Sequence, residues 1–186
     1  MSDDAKRALA ALALVVGGGA TALVGLQPRT IGVAFADGAD WTGWRPEHRA
    51  VLRSALVPLA ATGDVWREVP EGLADVVVRT YDSHGHCEHA GMWAVGSREI
   101  RVDYACLHGP ERLRYAVVHE LLHTRVGTAQ HVCAHASDGA DCHPRITGEG
   151  VLSPVMPWER DGDAYAPPPS SELTAADMAM VREAGR

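Results

Sequence analysis

Val118-His119-Glu120-Leu121-Leu122-His123 carries the side chains best suited to chemistry. On a helix, His-Glu-x-x-His sets two imidazoles one turn apart on a single face. That spacing can pinch a zinc ion, and the Glu between them can act on a water held by the metal. A catalytic zinc site keeps three protein ligands and one open position. His119 and His123 supply two, so the third must come from beyond the helix end. His131 is the expected third, reached after the chain turns at Gly127, with His135 and His143 as rivals. Each rival reads otherwise as a loop histidine or as a group supporting a ligand. Zinc brings the pKa of its water towards neutrality. Glu120 is then the general base that takes the proton and passes it to a leaving amine. Its bland alternative is a surface helix carboxylate, which the flanking histidines disfavour.

The elements that must position this stretch follow from periodicity and punctuation. Pro110 opens its helix, Leu113, Val117 and Leu121 form a core-facing stripe, and Gly127 stops it. Ala116, Glu120 and His123 fall on an adjacent stripe, with His119 beside them. Upstream, Thr30–Phe35 reads as a strand, broken at 37–40. Pro46 starts a helix with Val51, Leu52, Ala55, Leu56 and Leu59 as its apolar stripe, and Pro58 should kink or end it. Strands are expected at Val65–Val69, Ala74–Tyr81, Gly91–Val95 and Glu99–Tyr104. The segment Ala74–Tyr81 has the continuous apolar middle of a strand buried on both faces. From Thr128 to Pro169 no periodicity is visible, and a segment of that length needs metal ligation or a disulfide to hold it. Thr174 and Asp177 form a capping box at the start of a last helix, with Met178 and Val181 turned inward. The order implies a layered arrangement of helices on a mixed sheet, without internal repeats.

The chain has 186 residues, enough for one domain with a sizeable core, and a formal net charge of -7. No basic block is present, which argues against a nucleic-acid partner. Lys6 and Arg7 precede an uncharged run from Ala8 to Leu26, the pattern of an export signal or an N-terminal membrane anchor. Residues 1–26 are therefore assigned to the leader and residues 27–186 to the domain, which is expected outside the membrane, secreted or anchored. Cys87, Cys106, Cys133 and Cys142 form no C-x-x-C pair, so two disulfides are expected. Three connectivities are open, of which the local pairing Cys87–Cys106 and Cys133–Cys142 is taken.

His119-Glu120-Leu121-Leu122-His123, Gly127 and His131 resemble the elongated zinc motif of the metzincin metallopeptidases, H-E-x-x-H-x-x-G-x-x-H. One residue is added before the Gly and one before the last His. Ser153-Pro154-Val155-Met156-Pro157 looks like that family's Met-turn, with Met156 under the zinc histidines. Leu173-Thr174-x-x-Asp177 with Val181 resembles the closing helix of the matrixin branch. The resemblance implies an α+β zincin fold: a twisted mixed sheet, an active-site helix, and an irregular C-terminal subdomain ending in a helix. It also implies one catalytic zinc, a protein or peptide substrate, and an edge strand at Gly91–Val95 that pairs with it. The loop with His84, His86 and His89 lies where matrixins carry a structural zinc. The loop acids Asp37, Asp40, Asp138 and Asp141 leave calcium open, although no EF-hand spacing is present.

Three functions compete on these residues. The first is an exported zinc endopeptidase. The second is a non-catalytic, zinc-stabilised binding module on the same fold, which the intact Glu120 disfavours. The third is a cell-wall peptide hydrolase working by the same chemistry.

Overall fold

The computed structural model describes residues 28–38, 43–81, 91–103, 106–107, 109–153 and 170–185. The leader, Cys87, the histidines at 84, 86 and 89, Asp40 and Met156 lie outside them. In chain order the elements are β1 (Thr30–Ala36), α1 (Pro46–Leu59), β2 (Val65–Glu68), β3 (Val76–Thr80), β4 (Gly91–Trp93), β5 (Glu99–Val102), α2 (Pro110–Val126), β6 (His131–Cys133), β7 (Cys142–Thr147) and α3 (Ala175–Ala184).

Five strands form a mixed sheet in the order β2-β1-β3-β5-β4. β1 runs parallel to β2 and β3, β3 is parallel to β5, and β4 is antiparallel to β5 at the edge. Alternation along the strands sorts their side chains. Val33, Phe35, Val76, Val78, Ile100 and Val102 face the main core, together with Leu52, Ala55 and Leu59 of α1 and Leu113, Val117 and Leu121 of α2. Ala34, Ala36 and Val77 turn to the opposite face, where Ala74 and Val69 join them in a small second cluster. Val76, Val77 and Val78 are all buried, as their apolar run implies. Beside that second cluster, Arg79 donates through Nε to Glu99 Oε2 at 3.1 Å and pairs with Glu71, so the outer face is closed by charge.

Pro58 is accommodated in the last turn of α1, after which the chain tightens into a 3-10 turn at Ala60–Thr62. α2 is buried around almost its whole circumference, including Arg112 and Arg125. The buried Arg125 guanidinium pairs with the equally buried Asp64, which also accepts from Arg29 N at 3.1 Å. This pair ties the end of the helix to the start of β1 and β2.

The segment after α2 differs from the aperiodic stretch expected. It contains a parallel two-stranded sheet, β6 with β7, whose register is broken by a bulge between His131 and Cys133. β6 has only three residues, and the burial along β7 does not alternate. They are joined by the Cys133–Cys142 disulfide, one of the two expected bonds. Cys106 is also disulfide-bonded. The capping box of α3 forms as its sequence implies: Asp177 N donates to Thr174 Oγ1 at 3.2 Å, and Thr174 N to Asp177 Oδ2 at 2.9 Å. Met180 and Val181 seat α3 in the core.

Candidate metal centre

His119 and His123 project from one face of α2, four residues apart. The helix ends at Gly127, whose φ of 71° lies in the left-handed region that favours glycine. Its N–H closes the last turn on His123 O at 2.8 Å. The reversed chain then reaches β6, where His131 N donates to Asp141 O at 2.7 Å and Val132 N to Leu152 O at 2.8 Å. Those two bonds place His131 opposite the helix pair.

The three imidazoles converge through their Nε2 atoms. His123 Nε2 stands 3.1 Å from His119 Nε2 and 3.2 Å from His131 Nε2. Two nitrogens bound to one tetrahedral zinc at the usual bond length stand ~3.3 Å apart. The outward nitrogens fix the tautomers: His119 Nδ1 lies 2.7 Å from Val151 O and His123 Nδ1 2.9 Å from Thr128 O. A carbonyl can only accept, so both Nδ1 atoms carry the proton and both Nε2 atoms present lone pairs. Facing lone pairs do not hydrogen-bond to each other. They are the donor set for a cation. Among the described residues this is the one cluster of three such groups, with all ligand atoms within 4.8 Å of one another.

Electrostatics supports the same reading. Burial, then the neighbouring His123, lowers His119 to about 3, against which its bond to Val151 O raises it. Burial, then His131, lowers His123 to about 4. Burial also lowers His131, with Asp141 acting the other way. All three are therefore neutral at pH 7, the state that ligates metal. His131 Nδ1 is buried without a hydrogen-bond partner among the described residues. The Trp93 ring lies nearly parallel to that of His123, 7° apart in plane at a centroid distance of 6.1 Å.

Glu120 is buried, not the surface carboxylate of the bland reading, and burial pushes its carboxyl up to about 8. A divalent cation in the triad acts in the opposite direction, by attraction. The carboxyl lies under the edge strand: a Cβ built on Gly91 would meet Glu120 Oε1 at 2.8 Å. Tyr81 is close enough for the charges of Asp103 and Glu120 to add to the rise that burial causes in its phenol.

The rivals for third ligand lie outside the cluster. His143 Nδ1 accepts from Ile146 N at 3.0 Å and Arg145 N at 3.3 Å, and its Nε2 faces Glu183 at 3.6 Å. His135 is exposed, and its backbone N–H donates to Asp138 Oδ2 at 2.8 Å. Asp37 accepts from Trp44 N at 3.0 Å. The carbonyls of Val151 and Thr128, and Gly91 above Glu120, had no signal in the sequence, because a backbone acceptor or a missing side chain leaves no residue-type mark.

No known family model matches the sequence, and no curated protein matches it. Solved structures do match in shape. The crystal structure of myroilysin aligns with a TM-score of 0.55 at 11% identity, covering 85% of this chain and 84% of that one. Archaemetzincin from Methanopyrus kandleri aligns with a TM-score of 0.51 at 16% identity, covering 84% of this chain and 95% of that one. At such identities the likeness concerns fold alone. The chain thus adopts a metzincin-like zincin fold, with a twisted mixed sheet, a central helix carrying His119 and His123, and a His119–His123–His131 triad suited to zinc.

Proposed function

We propose that the protein is an exported, zinc-dependent endopeptidase of matrixin-like type. One observation carries the reading: three neutral imidazoles bring their Nε2 atoms to a common centre, next to a buried carboxyl of raised proton affinity. A purely structural zinc site is closed by four protein ligands. Among the described residues three converge, and the fourth position is read as the place of water or substrate.

When bound, zinc would polarise the scissile carbonyl and activate a water at neutral pH. The remaining steps belong to the chain. His119, His123 and His131 hold the ion, and the carbonyls of Val151 and Thr128 keep the first two rings in their ligating tautomer. Glu120 takes the proton of the attacking water and delivers it to the leaving amine. In the metal-free protein its burial raises its proton affinity above that of an exposed carboxylate. β4 is the last strand of the sheet, so an extended peptide can add along its outer edge, directly above Glu120. Met156 is proposed to lie beneath the triad as a Met-turn. The Cys133–Cys142 disulfide suits an oxidising compartment outside the membrane, in keeping with residues 1–26 as a signal or anchor.

Glu120→Ala tests the proposal. The variant should keep its zinc and lose cleavage of an unfolded protein substrate. Cleavage that survives the substitution refutes the mechanism. A parent protein that binds zinc but cleaves neither protein nor purified wall peptides would identify a binding module instead.

A further inference from the structure

Asp177 is 0% exposed and accepts four hydrogen bonds. Two come from Thr174, through its N–H and its hydroxyl, and complete the cap of α3. The other two serve no helix. They come from Val151 N and Leu152 N, each at 3.0 Å and 25 or more residues earlier in the chain. Leu152 N and Val151 O belong to the same peptide group. Asp177 Oδ1 grips its N–H end, and His119 Nδ1–H is bonded to its oxygen at 2.7 Å. A carboxylate on the N–H of an amide pushes electron density onto the carbonyl oxygen, which strengthens the bond that oxygen accepts.

The next carbonyl extends the device to the third imidazole. Leu152 O accepts from Val132 N at 2.8 Å, one residue beyond His131. Tyr115 Oη donates at 3.3 Å to the oxygens of Gly150 and Val151, holding the segment from the α2 side. The close approach needs a glycine: a Cβ on Gly150 would lie 2.4 Å from Asp177 Oδ1.

We infer that Asp177 is a positioning residue of the metal triad, acting through the Val151–Leu152 peptide on His119 and through Leu152 O on His131. The device is a carboxylate–histidine pair with a peptide group inserted between its members. It rests on the reading of the triad as a zinc site, and it makes α3 part of that site and not merely a lid on the core.

The test uses Asp177→Asn, Gly150→Ala and Thr174→Ala in the full chain. Asn offers one acceptor oxygen and turns an NH2 towards the backbone donors. Gly150→Ala displaces the carboxylate, and with it the Asp177 half of the α3 cap, while leaving every residue of that cap chemically unchanged. Thr174→Ala weakens the cap and leaves the Val151–Leu152 grip. Asp177→Asn and Gly150→Ala should each weaken zinc binding 10- to 100-fold, the usual loss for an outer-shell partner. In the metal-free protein both should also move or broaden the His119 Nδ1–H proton resonance. Thr174→Ala should lower the thermal midpoint while leaving zinc affinity and that resonance in place. If Asp177→Asn does not fold, Gly150→Ala decides. Zinc affinity that follows the thermal midpoint equally in all three variants would reduce Asp177 to a helix cap and overturn the inference. So would a metal-free parent without a protected His119 Nδ1–H. A parent with that resonance but no zinc affinity would instead overturn the proposed function.

Discussion

Gly91→Ala separates what the fold requires from what the chemistry requires. Gly91 begins β4, and its missing side chain is what lets Glu120 sit under the edge strand. A methyl there would stand 2.8 Å from Glu120 Oε1, 3.0 Å from Cγ and 3.3 Å from Cδ. Ordinary carbon–oxygen contact needs ~3.4 Å, so the carboxyl must move by ~0.6 Å or more. The moving group is the end of a side chain and not backbone, so the strain on the fold is small. Overpacking costs ~1 kcal/mol at the low end of its range, and the lost freedom of the unfolded chain offsets ~0.4–1 kcal/mol of it. Catalysis is far less tolerant. A misplacement approaching 1 Å costs ~100-fold in rate, equivalent to ~2.7 kcal/mol of barrier. The variant should therefore unfold within a few degrees of the parent and carry the same zinc, yet lose one to two orders of magnitude in kcat/KM on an unfolded protein substrate. Full activity would refute the placement of Glu120 as the base. Loss of zinc in step with activity would refute the claim that the methyl acts on Glu120 alone.

The ligand assignment predicts that His131→Ala loses most of the zinc and His135→Ala loses none, as metal analysis after dialysis would show. His143→Ala should keep its zinc but lose ~1–3 kcal/mol of stability in denaturant, because it strips the acceptor from Arg145 N and Ile146 N. The metal-free protein should show a stability maximum near pH 6.5. Below that value unfolded histidines protonate while His119 and His123, held at about 3 and about 4, do not, so acid favours unfolding. Glu120 has the opposite sign: held at about 8 against 4.5, it contributes fully at low pH and its contribution is lost as pH rises towards 8. Urea midpoints in chelator should fall between pH 6.5 and 8, and Glu120→Gln should flatten that fall; a parent that gains stability over that interval would contradict the burial argument. Replacing Cys133 and Cys142 together opens a loop with a separation of 9 residues. This should cost ~2–3 kcal/mol and weaken zinc binding, since the bond closes two residues from His131.

Much of the site could be read in advance because its signals are local. Pro110, the apolar stripe and Gly127 delimit α2, and the His-Glu-x-x-His spacing needs nothing beyond helical geometry. Thr174 and Asp177 announce their capping box in the same way. The hidden parts are those made by distant contacts. β6 is short and β7 lacks apolar alternation, and their pairing depends on a disulfide and on backbone bonds to Leu152 and Asp141. The burial of α2 on nearly every side follows from what packs around it, so Arg125 reads as an ordinary helix charge until Asp64 is placed against it, and the depth of Glu120 has no signal until Gly91 lies above it. Asp177 shows the limit best. Its cap is written in the four consecutive residues Thr174–Asp177, whereas its grip on Val151 and Leu152 is made to backbone, which no residue type records.

The most direct test is anomalous diffraction at the zinc edge from crystals of the zinc-loaded protein. The account predicts one zinc per chain, ~2.0–2.1 Å from the Nε2 atoms of His119, His123 and His131, with Glu120 beside it and no fourth protein ligand. A zinc held through His143 or His135, a site closed by a fourth side chain, or no anomalous peak at the triad would contradict it.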